Sequence, residues 1–190
     1  MAPAQVLGHP PPYAPSENPS IVATREKLQD TTPSDGWDRC WEKGLTPWDV
    51  GYAQPVILHL LQSGTLPNGT ALIPGCGSGY DVVAIASPER FVVGIDIAEN
   101  AIKRAKELSA SLPNANCLEF LKEDFFAWKP AEQFDLIFDY TFFAAVDPSL
   151  RPAWGNKVAE LLKPDGELIT LISPISDHVG GPPYGVSVAE

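Results

Sequence analysis

A glycine-rich motif, PGCGSG, lies between a short apolar run and a helical pattern. Glycines such as Gly75 let the backbone approach a ligand closely, and the helix N-terminus behind them favours negative or polar groups. Asp96 ends the next apolar run, where a carboxylate accepts hydrogen bonds from ribose hydroxyls. Together, the motif and Asp96 predict a site for a nucleotide-containing ligand. An ordinary glycine turn and a helix N-cap are the alternatives for these two features.

The spacing within the motif, GxGxG rather than GxGxxG, favours S-adenosylmethionine over a dinucleotide. Asp124 and Phe125 follow the third apolar run. There the acid can accept the exocyclic amine of an adenine, and the aromatic ring can pack on the base. A loop acid beside a core aromatic is the alternative for this pair.

Three of the five tryptophans, Trp37, Trp41 and Trp48, precede the first predicted strand. Trp37 and Trp41 are four residues apart, which places them on one face of a helix. They can form an aromatic lid, because indole faces attract a cation such as a sulfonium. Ordinary packing of that helix is the alternative.

Tyr140 and Arg151, which both follow the fourth apolar run, are candidates for the substrate side of the site. Tyr140 can donate a hydrogen bond near an incoming anion, and Arg151 can attract that anion by its charge. A surface arginine in a helix-entry turn is the alternative for Arg151. The sequence offers no convincing Ser/His/Asp or Cys/His set, and its three cysteines have no metal-ligand spacing. We therefore expect no metal and no covalent intermediate.

Five apolar runs alternate with helical patterns along the chain. The pattern predicts strands at residues 71–73, 91–95, 117–121, 134–138 and 168–172. It predicts helices at residues 54–62, 80–86, 99–109 and 153–162, the last one stopped by a turn at 163–166. This alternation is typical of a parallel, doubly wound α/β sheet that binds ligands at the carboxyl ends of its strands.

The composition limits the partners and the compartment. The 190 residues carry a net charge of −11 without clustered Lys or Arg, which argues against nucleic acid. No apolar stretch is long enough to span a membrane, and the scattered cysteines suit a reducing compartment, so we expect the cytosol. Six of the twenty prolines lie in the first 20 residues. We expect a disordered tail and hinge at residues 1–36 and one domain at 37–190.

Several stretches together resemble the thiopurine S-methyltransferase superfamily, and within it the plant thiol/thiocyanate and halide methyltransferases of the "harmless to ozone layer" type. They are WDRCWEKGLTPWDVGYAQPVILHLL, ALIPGCGSGYDVVAIA, VVGIDIAENAI, EDFFAW and FDLIFDYTFFAAVDPSLRPAW. The resemblance implies a class I methyltransferase fold that uses S-adenosyl-L-methionine. It also implies a set of cofactor-binding residues: Trp37, Trp41, Trp48, Gly75, Asp96, Asp124, Phe125 and Tyr140.

The resemblance further implies a small anionic or thiol substrate, such as thiocyanate, bisulfide or iodide. Such a soft anion attacks the sulfonium methyl group in line and needs no general base. Alignment of the two reactants then supplies most of the catalysis. A nucleotide-dependent oxidoreductase is a weaker alternative, because the tryptophan-rich segment does not suit it.

The class I fold normally closes with two more strands, which form an antiparallel hairpin, and we find no residues for them after the fifth predicted strand. We therefore expect a C-terminally truncated form, such as an alternative isoform, or an unusually short relative. An alternative function follows: a catalytically impaired chain that binds the cofactor or a partner chain. We expect a monomer that can self-associate through the uncovered sheet edge.

Overall fold

A five-stranded sheet forms the centre of the computed structural model, which describes residues 18–29 and 31–187. Its strands lie in the order β3-β2-β1-β4-β5, and every neighbouring pair is parallel. The predicted doubly wound parallel sheet is confirmed. The strands are β1 (Gly69–Pro74), β2 (Arg90–Asp96), β3 (Leu118–Lys122), β4 (Phe134–Tyr140) and β5 (Leu162–Leu171).

Seven α-helices accompany the sheet in the part of the chain that the structure describes. They are α1 (Pro19–Leu28), α2 (Pro33–Glu42), α3 (Pro55–Ser63), α4 (Tyr80–Ile85), α5 (Glu99–Ser109), α6 (Phe142–Ala145) and α7 (Arg151–Leu161). The first three begin at a proline, whose fixed φ suits the first helical turn and whose missing N–H is not needed there. Thr32 caps α2 by accepting a hydrogen bond from the Asp35 N–H at 3.2 Å.

Two apolar clusters cover the two faces of the sheet. On one face, Ile85 of α4 and Ile102 of α5 pack with Phe138 of β4. On the other face, Val158 and Leu161 of α7 pack against Ile137 of β4. Helices on both faces leave the strand ends as the open edge where a ligand can bind.

The structure differs from the sequence-based expectation after α7. The turn predicted at residues 163–166 belongs to β5, which begins at Leu162 directly after the helix. Leu162 pairs with Phe134 and Glu167 pairs with Leu136, so the residues between them form a bulge. A bulge keeps a proline and a glycine within a strand without breaking the rest of the ladder.

Part of the predicted tail and hinge is helical, because α1 and the start of α2 lie before residue 37. Thr24 of α1 is buried, and the Arg25 guanidinium donates hydrogen bonds to the carbonyl oxygens of Pro182 (3.0 Å) and Pro183 (3.3 Å). These contacts join α1 to the segment after β5. Residues 1–17 lie outside the described range, and the domain boundary at residue 37 stays a prediction.

Strand β5 lies at one edge of the sheet and pairs only with β4 among the described residues. The chain that follows it folds back towards α6, where the Tyr184 N–H donates to the Ala144 carbonyl at 2.7 Å. A single parallel bridge joins Ile175 to Val186 within this segment. No helix in the described ranges is long and apolar enough to cross a bilayer.

Candidate functional site

The glycine loop, residues 75–79, connects the end of β1 to α4. Gly75 and Gly77 have φ values of 58° and 54°, a left-handed backbone that side chains rarely adopt. A Cβ atom at Gly75 would lie 2.7 Å from the Phe142 ring, and one at Gly77 would lie 3.1 Å from Trp41. Glycine is therefore required by the backbone at both positions, and at Gly75 also by its close contact with Phe142.

Asp96, the last residue of β2, holds the glycine loop from beneath. Its carboxylate accepts hydrogen bonds from the N–H groups of Gly77 (3.0 Å) and Ala98 (2.9 Å). Burial raises the pKa of Asp96 to about 6, although these hydrogen bonds act against the rise. The N-cap of α5 is Ala98 rather than Asp96, so the helix-cap alternative does not apply. Asp96 is 9% exposed and is not among the residues that line the cleft above the loop, and its ribose-binding role stays a prediction.

The three tryptophans form one aromatic group. The Trp48 ring meets Trp37 edge to face with centroids 5.2 Å apart, and it meets Trp41 at 6.1 Å. Trp41 and Trp48 line a cleft above the glycine loop, whereas Trp37 lies behind Trp48 and does not line it. The spacing of four residues thus brings Trp37 and Trp41 to the same partner, as a shared helical face requires.

The lid segment, residues 33–53, is joined to the glycine loop and to α5 by carboxylates that the sequence did not single out. Asp49 accepts a hydrogen bond from the Ser78 hydroxyl at 2.7 Å and lies 3.7 Å from Arg104 of α5. Asp38 accepts from the backbone N–H of Asn100 (2.8 Å) and from its side-chain amide (3.0 Å). These bonds join residues that are far apart in the chain, so no local motif predicts them.

A second carboxylate, Asp81, lies in the first turn of α4 beside Tyr140. It accepts a hydrogen bond from the Gln54 N–H at 2.7 Å, and burial raises its pKa to about 6. Burial also raises the pKa of the Tyr140 hydroxyl, with further contributions from Asp81 and Tyr52. The side chains of Asp81, Tyr52 and Tyr140 all line the cleft. The sequence did not single out Asp81, although it is the second residue after the glycine motif.

Asp124 and Phe125 lie near this edge of the sheet but do not line the cleft. The exposed Asp124 carboxylate accepts from the Phe126 N–H at 2.9 Å, which closes a local turn. Phe125 is 3% exposed and packs edge to face on Phe142, with centroids 5.1 Å apart. This placement matches the loop-acid and core-aromatic alternative, and the adenine-binding role of the pair stays a prediction.

Arg151 lies at the start of α7 and does not line the cleft either. Its guanidinium stacks over the Phe143 ring at 5.0 Å and donates to the Gly185 carbonyl at 2.8 Å. Arg151 therefore ties the segment after β5 to α6 and α7. Its attraction of an anionic substrate stays a prediction that this placement does not support.

Asp139 is fully buried at the end of β4, one residue before Tyr140. One carboxylate oxygen accepts from the Phe143 N–H at 3.1 Å, and the other has no hydrogen-bond partner of good geometry among the described residues. The Trp154 indole lies close enough to favour its charge, yet burial outweighs this effect and raises the pKa of Asp139 to about 7. Asp139 thus supports the turn that presents Tyr140 and Thr141 to the cleft.

The cleft has a distinctive charge pattern. Among the described residues that line it, the charged side chains are Asp49 and Asp81, and none is Lys, Arg or His. Its walls combine tryptophan and tyrosine rings with backbone groups of the glycine loop. No group of three or more His, Cys, Asp or Glu in the described ranges could hold a metal ion. The arrangement suits an organic ligand that carries positive charge and hydroxyl groups.

Comparison with known proteins identifies the family. The model of the thiopurine S-methyltransferase (TPMT) family matches residues 32–190. The chain belongs to this family. Thiocyanate methyltransferase 1 of Arabidopsis thaliana is 56% identical over 178 residues, which cover 92% of this chain and 78% of the relative. Probable thiol methyltransferase 2 of the same plant is 58% identical over 174 residues, covering 90% and 77%.

Solved structures agree on the fold of this TPMT-family chain. The CcbJ methyltransferase from Streptomyces caelestis superposes with a TM-score of 0.56 at 18% identity, over 69% of this chain and 53% of that one. The DhpI-SAM-HEP complex gives a TM-score of 0.55 at 19% identity, over 80% and 65%. The chain thus spans about half to two thirds of these structures. It has the class I S-adenosylmethionine-dependent methyltransferase fold that the sequence predicts.

Proposed function

We propose that this chain transfers the methyl group of S-adenosyl-L-methionine to small soft nucleophiles, namely thiocyanate, bisulfide or other thiols, and halides such as iodide. The observation that carries the proposal is the cleft itself: indole rings over a glycine loop, beside Asp96 at the carboxyl ends of the strands. The names of the two plant relatives, a thiocyanate methyltransferase and a probable thiol methyltransferase, support this choice of acceptor.

The residues present suit this cofactor better than a dinucleotide. S-adenosylmethionine carries a positive sulfonium, which aromatic faces and carboxylates attract. The cleft offers both, through Trp41, Trp48 and Asp81, and no basic side chain among its described lining residues. The diphosphate of a dinucleotide would instead bring two negative charges beside Asp49 and Asp81.

Each residue then has a defined task in binding. Asp96 accepts the ribose hydroxyls, and the backbone of Gly75 and Gly77 approaches the cofactor without a side chain in between. Trp41 and Trp48 cover the site and exclude water, which strengthens the electrostatic attraction inside. Asp124 and Phe125 contact the adenine in this proposal. Because Phe125 is buried in the structure, this contact requires a local rearrangement. Trp37 supports Trp48 from behind.

When bound, the cofactor would supply an activated methyl group to the incoming anion by a single displacement, with the electrons of the broken bond returning to sulfur. Thiocyanate, bisulfide and iodide are already anions, and a thiol reacts as its thiolate after losing its proton to solvent, so no residue needs to act as a general base. The chain contributes alignment of the two reactants in a dry cleft. Tyr140 lies at the end of β4 and lines this cleft. Its role in the proposal is to donate a hydrogen bond to the acceptor.

Calorimetric titration with S-adenosylmethionine, followed by headspace analysis with thiocyanate, bisulfide and iodide, tests the proposal. We expect binding together with methyl thiocyanate, methanethiol and methyl iodide. Binding without any volatile product would favour the catalytically impaired alternative. A folded sample that does not bind would contradict the cofactor assignment. The cytosolic location and the monomeric state stay predictions, and cell fractionation and size-exclusion chromatography address them.

A further inference from the structure

The cleft contains a negative charge that the chain itself does not neutralise. Asp49 interacts with the Ser78 hydroxyl and Arg104, whereas the Asp81 carboxylate accepts a hydrogen bond from the backbone N–H of Gln54. No ion pair involves Asp81 within the described ranges, and no cation contributes to its ionisation. A carboxylate held in a partly buried cleft without a counter-ion is costly, unless a ligand brings one.

We propose that the Asp81 carboxylate pairs with the positive charge of the bound cofactor. This assignment rests on the proposed function and adds a binding residue to it. S-adenosylmethionine has two positive groups, the sulfonium and the ammonium of its amino-acid end. Both have the chemistry that a carboxylate recognises, and the experiment below distinguishes them.

The position of Asp81 supports the pairing. It shares the cleft with Tyr140 and Tyr52, and its charge helps to raise the pKa of the Tyr140 hydroxyl. It is the second residue after the glycine loop, whereas Asp96 holds that loop from the β2 side. The two carboxylates therefore flank the loop: Asp96 is placed for the hydroxyl groups of the cofactor and Asp81 for its charge.

A purely structural role would need only the hydrogen bond from Gln54, which a neutral acceptor can also receive. Asp81→Asn keeps such an acceptor and removes the charge, so it separates the two roles. Asp81→Glu keeps the charge. Glu119→Gln is the matched control, because it removes one carboxylate from an exposed position on β3, away from the cleft. Thermal melts establish that each variant is folded.

The measurement is the dissociation constant of S-adenosylmethionine and of S-adenosylhomocysteine, by calorimetry at pH 7.5. S-adenosylhomocysteine keeps the ammonium but has a neutral sulfur. We expect Asp81→Asn to bind S-adenosylmethionine roughly 10- to 100-fold more weakly, as for the loss of a hydrogen bond to a charged group. An equal loss for both ligands assigns the ammonium, and a loss confined to S-adenosylmethionine assigns the sulfonium. Asp81→Glu should retain most of the affinity.

Equal affinities of Asp81→Asn and Glu119→Gln for S-adenosylmethionine would overturn the pairing while leaving the proposed function intact. Failure of the unsubstituted chain to bind S-adenosylmethionine would overturn both. If Asp81→Asn does not fold, Asp81→Ser replaces it, because the serine hydroxyl can also accept from the Gln54 N–H.

Discussion

Replacing Asp96 by alanine separates ligand binding from folding. The role proposed for this carboxylate is to accept the ribose hydroxyls. Each hydrogen bond to a charged group contributes about 1.5–3 kcal/mol, so Asp96→Ala should weaken cofactor binding by at least about tenfold. The effect on stability is smaller because two terms oppose each other. The Gly77 and Ala98 N–H groups lose their acceptor, which costs about 1–3 kcal/mol for each buried group. Removal of the carboxylate offsets much of this cost.

The offset follows from the ionisation of Asp96. Its pKa rises from 3.8 to about 6 because the charged form is buried. A rise of about 2 units corresponds to about 3 kcal/mol of penalty on the folded state at pH 7.5, which the alanine variant no longer carries. We therefore expect Asp96→Ala to fold with a melting temperature within about 10 °C of the unsubstituted chain, at roughly 2–4 °C per kcal/mol.

Calorimetry with S-adenosylmethionine and a thermal melt on the same sample provide the assay. Glu119→Gln serves again as the control for the loss of one negative charge, and Asp96→Asn should lose less affinity than Asp96→Ala because its amide can still accept one hydrogen bond. A folded Asp96→Ala variant with unchanged affinity would refute the ribose assignment. A variant that fails to fold would refute the opposing-terms argument.

Three further outcomes test other parts of the site. Lowering the pH from 8 to 5.5 should raise the free energy of unfolding. Burial raises the pKa of Asp139 to about 7, above its unfolded value, so the charged carboxylate destabilises the folded state and protonation removes this penalty. Denaturant titrations should show about 2 kcal/mol less of this pH effect in Asp139→Asn, and a flat pH profile of the unsubstituted chain would disprove it. Trp41→Ala should weaken S-adenosylmethionine binding by about 3- to 30-fold through loss of a cation–π contact. Trp37 lies behind the cleft, so Trp37→Phe should retain the affinity for S-adenosylmethionine. Equal calorimetric affinities for the two variants would argue against the lid. A double-mutant cycle of Asp49→Ala and Ser78→Ala should show a coupling of about 1–2 kcal/mol in unfolding, and a coupling near zero would mean that their 2.7 Å hydrogen bond does not hold the lid segment.

Local patterns in the sequence were sufficient for the architecture. Short apolar runs predicted all five strands and period-3.6 apolar spacing predicted the main helices, since burial of an apolar segment or face is a property of neighbouring residues. The positions of the glycine motif and Asp96 were also predictable. Glycine is the residue that adopts a left-handed backbone most readily, as Gly77 does, and the carboxyl ends of β1 and β2 lie side by side in a parallel sheet. The sequence did not predict that β5 begins at Leu162: that residue pairs with Phe134, and residues 163–166, predicted as a turn, form a bulge between it and Glu167.

The sequence by itself determined the family, the fold and the edge of the sheet where the site lies. Only the tertiary structure decided which side chains face the cleft. Asp81 and Trp41 line it, whereas Phe125 is buried in the core and Arg151 binds the segment after β5. The reason is physical: the direction of a side chain and the pKa of a carboxylate depend on contacts between residues far apart in the chain, which no local spacing encodes.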